Sequence, residues 1–330
     1  MFTDSPTQEI FFAGHKMFVK RDDLLHPDFS GNKARKFFHF LKSNNNNHVK
    51  CVVGSGSAQA NSLYSLSVLA KLKGWDLDYY VSHISDALTQ QLLSVSPVNS
   101  NYVQAVKNGA NVKAVNWSDK RFNQCQHLDD AVEQLKSDYY LHYGKQEVLF
   151  IPEGGRCEYA KTGVAILASE IINWAIEYDI DKLTVFLPSG TGTTALYLQQ
   201  SINEKCDQHL DIKVMTCSTV GGDDYLVSQF RRLSSTISCF PEIVTDGNKY
   251  HFGKLYLNLF ELWQEVLATT GITFDLLYDP IGLAVLKHQL QTRALLGREV
   301  LYIHQGGLLG NVTMLPRYLR KQKNKKLRKL

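Results

Sequence analysis

The chain reads as an α/β protein of two domains, with parallel or mostly parallel sheets covered by helices. Three observations carry that reading. Short apolar runs alternate with helical patterns from residue 50 onward, which is the rhythm of βαβ units. The runs are compact and apolar, as strands of a sheet covered on its faces are. The chain has 330 residues, enough for a sizeable core and for two domains.

The elements follow in order. Lys33–Leu41 has a helical pattern. Lys50-Cys51-Val52-Val53 is a strand ending in a Gly/Ser turn, and Asn61–Gly74 is a helix with Leu63, Leu66, Val68, Leu69 and Leu72 apolar. Asp78–Val81, Asn111–Val115 and Val148–Ile151 continue as strands, with helices expected over Val98–Gly109 and Asp129–Gly144. Thr162–Tyr178 is amphipathic, its apolar positions being Val164, Leu167, Ile171, Trp174 and Tyr178. Leu183–Leu187, Ile212–Met215 and Val300–Ile303 are buried-strand candidates, and Ala195–Ile202 is helical. Asn44–Asn47 reads as a polar linker and a crossover between domains.

Composition is that of an ordinary globular protein, 44% hydrophobic and 21% charged. No apolar run reaches transmembrane length, and Met1–Pro6 does not resemble a signal peptide. Six cysteines form no CxxC pair, so neither a zinc site nor a disulfide framework is indicated. A reduced, cytoplasmic setting is expected. The net charge of +4 hides an asymmetry, because Arg317–Leu330 carries eight basic residues and no acidic one. That tail is expected to be a solvated terminus rather than a nucleic-acid site.

Ser30-Gly31-Asn32-Lys33 is the stretch around which the chemistry gathers. Lys33 falls in the first turn of a helix, where the dipole disfavours a cation by a few tenths of a kcal/mol (about 0.3). A lysine that is neutral or covalently occupied, as a Schiff-base lysine is, removes the mismatch. The plain alternative is a surface helix with a basic start. Leu187-Pro188-Ser189-Gly190-Thr191-Gly192-Thr193-Thr194 joins a strand to a helix. Its glycines let successive N–H groups converge, its threonines add donors, and the helix N-terminus favours an anion. No lysine closes the loop, so it is not a Walker A site, and no ribose-binding acid stands out for a dinucleotide. A phosphate monoester suits it better.

The run from Val19 to Pro27 followed by Ser30–Lys33 resembles the lysine segment of the 1-aminocyclopropane-1-carboxylate deaminase and D-cysteine desulfhydrase family. Ile151–Arg156 is similar as well. That resemblance implies a tryptophan-synthase-β-like fold, type II of the pyridoxal-phosphate enzymes. The larger domain would comprise 1–44 and 152–330, with 45–151 as a smaller inserted one. It also implies pyridoxal 5'-phosphate as cofactor, Lys33 as the residue that carries it (Lys36 if the register slips), and the loop Gly190, Thr191, Gly192, Thr193, Thr194 as its phosphate cradle. Asn61 would bond the phenolic oxygen, and Gln305 would lie near the pyridine nitrogen. Ser57, Ala58, Gln59 and Ala60 would face the substrate carboxylate. No metal, membrane or nucleic-acid partner is implied, and a homodimer is.

Departures cluster on the substrate side. Ala60 stands where the deaminases use a serine, and Gln305 where the family has threonine. The loop Tyr250–Lys254 is shortened and has lost a tyrosine, and none follows Pro280 in Tyr278–Gly282. Ring opening leans on those groups, so β-elimination from a small amino acid is the favoured reaction. The alternatives are a cofactor-binding homologue with little turnover and a nucleotide-binding Rossmann protein.

Overall fold

The computed structural model describes residues 3–42, 48–94, 98–206, 209–235 and 240–327; the linker expected at Asn44–Asn47 lies outside them. Two compact units form, Met1–Lys36 with Glu158–Leu330, and Phe37–Cys157. The junctions read from the sequence, 44/45 and 151/152, stand eight and six residues from these.

In chain order the elements are β1 (Thr7–Phe12), β2 (His15–Lys20), α1 (Gly31–Lys42), β3 (Cys51–Ser55), α2 (Asn61–Lys73), β4 (Asp76–Val81), α3 (Asp86–Leu93), α4 (Asn101–Lys107), β5 (Ala110–Ala114), α5 (Leu128–Tyr143) and β6 (Val148–Ile151). There follow α6 (Ala160–Glu177), β7 (Lys182–Ser189), α7 (Thr193–Lys205), β8 (Asp211–Ser218), α8 (Asp223–Leu233), β9 (Glu242–Ile243), α9 (Leu257–Thr270), α10 (Asp279–Gln291), β10 (Glu299–Ile303) and α11 (Asn311–Leu327). No helix among the described residues is long and apolar enough to cross a membrane.

The larger unit holds a six-stranded sheet in the order β1-β2-β10-β7-β8-β9, parallel except for the β1–β2 hairpin. Side chains alternate faces along a strand. On β7, Val185 and Leu187 therefore pack with α6 and α7, while Phe186 joins the α9–α10 side. Both faces are covered, which is why β7 is buried almost throughout. The smaller unit holds a wholly parallel sheet, β5-β4-β3-β6. On one of its faces Cys51, Val53 and Val148 pack against Ala131, Leu135 and Tyr139 of α5.

Some ends differ from the sequence-based expectation for local reasons. α2 stops at Lys73 because Gly74 takes the left-handed C-cap conformation, and Leu72 is exposed rather than on the packed face. α4 starts at Asn101, not Val98, since the Ser100 hydroxyl caps it by accepting from the Val103 N–H. α6 ends at Glu177, leaving Tyr178 exposed.

One buried ionic cluster ties α1 to the larger unit. The Arg35 guanidinium, 1% exposed, donates to Asp22 Oδ1 and Oδ2 at 2.7 and 3.0 Å. It also donates to Glu170 Oε1 and Oε2 at 2.6 and 2.7 Å. Lys20 Nζ lies 3.0 Å from Glu170 and donates to the Ser5 carbonyl, while the Ser5 hydroxyl donates to Asp22. Burial works against ionisation of Glu170, yet Arg35 and Lys20 outweigh it and hold the carboxyl below its ordinary range. Replacing Arg35 with alanine leaves Asp22 buried without its cation and Glu170 with Lys20 alone, and should cost ~3–5 kcal/mol. Urea unfolding measures this, and an unmoved midpoint would refute it. The stabilisation from Glu170 is fully present above the ordinary glutamate pKa and is lost as pH falls through the lower folded value.

Candidate active site

Parallel strands put their C-terminal ends on one edge of a sheet, and the connections leaving that edge build the site. In the larger unit β2 leads through residues 21–30 to α1, β10 leads to residues 304–307, and β7 leads to the glycine–threonine loop.

The first two meet at backbone distance. Gly31 opens α1 with φ +67°, and a methyl group there would come within 1.9 Å of the Gln305 carbonyl oxygen. Glycine is required on both counts. The Asn32 N–H donates to that carbonyl at 3.0 Å, and Asn32 Nδ2 donates to Gln305 Oε1 at 2.9 Å. Gln305 Nε2 then donates to the Pro188 carbonyl at 2.6 Å, two residues before Gly190. One carboxamide thus joins the start of α1 to the end of β7. Lys33 Nζ donates to Asn32 Oδ1 at 3.2 Å, which holds the amine at this junction. Lys36, the fallback residue, is buried, at 3% exposure.

His304 stiffens the turn from beneath. It is fully buried, stacked on Phe274 with ring centroids 4.6 Å apart. Its Nδ1 accepts from the Gly306 N–H, so Nε2 carries the proton toward the Thr273 carbonyl at 2.8 Å. Burial pushes its pKa down, against the pull of Asp23.

The glycine–threonine loop ends as an uncapped helix start. Gly192 is the N-cap of α7 with φ +68°, and supplies no side-chain oxygen to the first N–H groups. A methyl group there would reach within 2.3 Å of Phe230. Thr193 and Thr194 belong to α7 rather than to the loop before it. Thr193 Oγ1 lies 3.1 Å from Thr191 Oγ1. Thr194 Oγ1 is buried with no hydrogen-bond partner. Such a hydroxyl costs about 1–3 kcal/mol unless something accepts from or donates to it. An uncapped N-terminus with an unsatisfied hydroxyl fits a phosphate, and with Lys33 nearby in the same unit the residues fit pyridoxal phosphate. The Thr216 and Thr219 hydroxyls of β8 and its following turn brace the loop from Leu187 and Ser189.

In the smaller unit the β3–α2 connection is braced separately. The Ser55 hydroxyl donates to Asp129 at 2.6 Å, and Arg156 pairs with the same carboxylate. Ser57, Ala58, Gln59 and Ala60 form the turn, closed by the Ala60 N–H donating to the Ser57 carbonyl. Ala60 is the N-cap of α2 and offers no capping oxygen, so the first N–H groups of that helix keep their capacity for an anion. Asn101 Nδ2 donates to Asn61 Oδ1 at 2.8 Å and to the Gln59 carbonyl. This leaves the Asn61 amide nitrogen, a donor, as that side chain's remaining polar group. Asn101 carries no local sequence signal for this role.

No protein-family model matches the sequence. The chain is 23% identical over 303 residues to a Pyrococcus horikoshii protein named "Putative 1-aminocyclopropane-1-carboxylate deaminase", covering 90% of this chain and 86% of that one. It is 25% identical over 313 residues to the mitochondrial bifunctional D-cysteine desulfhydrase/1-aminocyclopropane-1-carboxylate deaminase of Arabidopsis thaliana, covering 90% and 73%. A crystal structure of an ACC deaminase homologue superposes with a TM-score of 0.75 at 19% identity, over 96% of this chain and 93% of that one. The chain is thus similar over nine-tenths of its length to proteins named for deaminase and desulfhydrase activity. Its fold is that of the type II pyridoxal-phosphate enzymes, as the resemblance of the lysine segment implies.

The departures from the family pattern can be located. Gly282 sits in the first turns of α10, and a methyl group there would lie 2.8 Å from Tyr302 Oη and 3.0 Å from Pro188. Tyr302, on β10, fills that space. Its phenol is buried and donates to Asp279 at 2.7 Å. Burial and the neighbouring Asp275 hold the Asp279 carboxyl well above the usual carboxylate range.

Thr194→Val removes the unsatisfied hydroxyl at nearly constant shape. It should leave unfolding stability of the ligand-free protein equal or higher, while weakening pyridoxal-phosphate affinity roughly 5–50-fold. Equal affinity in fluorescence titration would place the phosphate elsewhere.

Proposed function

We propose that this is a pyridoxal-phosphate-dependent enzyme that cleaves a small amino acid by β-elimination, in the manner of a deaminase or desulfhydrase. The observation that carries the reading is the hydrogen-bonded chain Lys33–Asn32–Gln305–Pro188, which ties a lysine amine to the start of an uncapped, glycine–threonine phosphate cradle. The relatives are named for deaminase and desulfhydrase activity, which supports it.

Each part has a physical task. The uncapped start of α7 binds the phosphate dianion through N–H groups and threonine hydroxyls. The bound cofactor supplies an electron sink that acidifies the substrate's Cα–H. Lys33 Nζ, oriented by Asn32 Oδ1, takes and returns the proton. In the smaller unit, taken by itself, the uncapped start of α2 has N–H capacity for a carboxylate.

Ring opening of 1-aminocyclopropane-1-carboxylate offers no Cα proton to Lys33 and draws on hydroxyls that are changed here. Ala60 has none, and Gly282 is closed over by Tyr302. These same two positions favour a second reading, a cofactor-binding protein with little turnover.

With the wild-type protein, added pyridoxal phosphate should give a visible absorbance band, and D- or L-amino acids should change it. Lys33→Ala should lose the band and the borohydride-trapped lysine. A trapped adduct at another lysine would overturn the assignment. In the wild type, release of 2-oxobutanoate from 1-aminocyclopropane-1-carboxylate should be ~10²–10⁴-fold below that expected for a complete set of acid–base groups. Robust turnover in that assay would defeat the preference for elimination.

A further inference from the structure

We propose that the groove beside the basic half of α11 docks an acidic segment of another protein, one that carries an aliphatic side chain among its carboxylates. The inference is independent of the catalytic reading above. α11 packs on α9 through Met314 and Tyr318, both buried, and the Tyr318 ring stacks on Phe260 with centroids 4.6 Å apart. Met314, Tyr318, Lys321 and Lys325 stand at i, i+4, i+7 and i+11, which places them on one face of the helix. The face that serves the core in the first turns therefore becomes basic beyond Tyr318. The tail read from the sequence as a solvated terminus is helical as far as Leu327.

That basic stretch borders a groove of about 610 Å³. Arg317, Arg320, Lys321 and Lys325 line it from α11, and Leu255 and Leu257 line it at the entry to α9. The charges exceed what the fold uses. All four cations are exposed. Arg317 Nη1 donates to Met314 Sδ at 3.0 Å and Lys321 Nζ to the Leu255 carbonyl at 2.6 Å; among the described residues no carboxylate pairs with any of the four. A helix dipole favours cations in the last turn only. Lys325 stands there, whereas Arg317 and Arg320 lie well before it. Like charges three and four residues apart repel, so the stripe weakens the helix on its own. An acidic partner turns that repulsion into attraction.

The rest of the lining selects among polyanions. Leu255 and Leu257 are half-buried, packed in part on the core, and they keep apolar surface in the groove. Nucleic acid would engage the cations, but no aromatic ring lines the groove for its bases to stack on. The headgroups of a flat lipid surface would meet the exposed cations without reaching the half-buried leucines. A peptide sets carboxylates and aliphatic side chains within a few residues of one another, and so answers both parts of the lining.

The test is fluorescence anisotropy with the full-length protein and a fluorescein-labelled peptide of repeated Glu-Leu-Glu. The wild type should bind it, with affinity falling about tenfold or more as salt rises from roughly 30 to 300 mM. Serine in place of leucine in the peptide should weaken binding about fivefold or more. Arg320→Glu with Lys325→Glu should weaken it about tenfold or more, whereas Arg231→Glu with Arg232→Glu, the same charge change at the end of α8, should leave it within about twofold. All four positions are exposed, and an unchanged thermal midpoint shows that each variant folds. Should the first pair shift that midpoint, Arg320→Gln with Lys325→Gln carries the comparison, with an expected loss of about fivefold. Absence of binding, an equal loss in the two charge-reversed pairs, or indifference to the peptide's leucines overturns the inference. Tighter binding of single-stranded RNA or of phosphatidylserine vesicles, with the same dependence on Arg320 and Lys325, overturns it in favour of a nucleic acid or a lipid surface.

Discussion

Everything at the site hangs on a guanidinium with almost no solvent. Arg35 faces Asp22 on one side and Glu170 on the other, and Lys20 adds a second cation, so the cluster is neutral overall. Burying one charge alone would be prohibitive; burying two opposed pairs with their hydrogen bonds met is not. Burial would lower the pKa of Arg35, but Asp22 and Glu170 more than reverse that. Arg35 lies half a turn beyond Lys33 on α1. The first turn of that helix is consequently clamped to the turn after β2 and to α6 at once, and Lys33 inherits a fixed origin. A reactive lysine on a flexible stem gains most from such a base, because each bond from Cα to Nζ multiplies positional error.

The clamp sets where α1 begins, and the sheet order sets what it meets. β10 lies between β2 and β7, so the connections after these three parallel strands leave neighbouring points of one edge. Gly31 and Gly306 lack side chains where those connections touch: a methyl group on Gly306 would be 3.0 Å from the Gly31 Cα. Gln305 exploits that contact, since its amide reaches Asn32 on one side and Pro188 on the other. Threonine, the family's residue here, has one hydroxyl and could not span both. The substitution lengthens a polar link rather than removing one.

What could be read in the sequence was what is local. Lys33 announces itself by standing in a helix's first turn behind Ser-Gly-Asn, and the 190–194 loop by glycines between a strand and a helix. The internal strands β3, β7, β8 and β10 are apolar runs because both sheet faces are covered. The β1–β2 hairpin was missed, although Ala13 and Gly14 both adopt positive φ, as a two-residue hairpin turn needs. Asn-Gly would have signalled it; Ala-Gly does not. Bonds such as Asn32–Gln305, between residues 273 positions apart, leave no local trace. The same holds for Phe252 on Tyr278, and for Asn101 turning the Asn61 amide.

The altered positions bear on whether the substrate side has decayed or been rebuilt. A site losing its function by drift leaves voids where side chains shrink, since each substitution is independent and cores do not readily collapse. Here the space beside Gly282 of α10 is taken up by Tyr302 of strand β10, which is anchored in turn by Asp279. The residues following the shortened loop's histidine put a phenylalanine against Tyr278, and Tyr278 against Gly190. At Gly282 and in the shortened loop the departure is matched by an aromatic neighbour that packs against it, whereas Ala60 leaves its helix start uncapped. Packing of that kind at adjoining positions of the larger unit is what a repacked wall shows, and independent drift does not readily produce it.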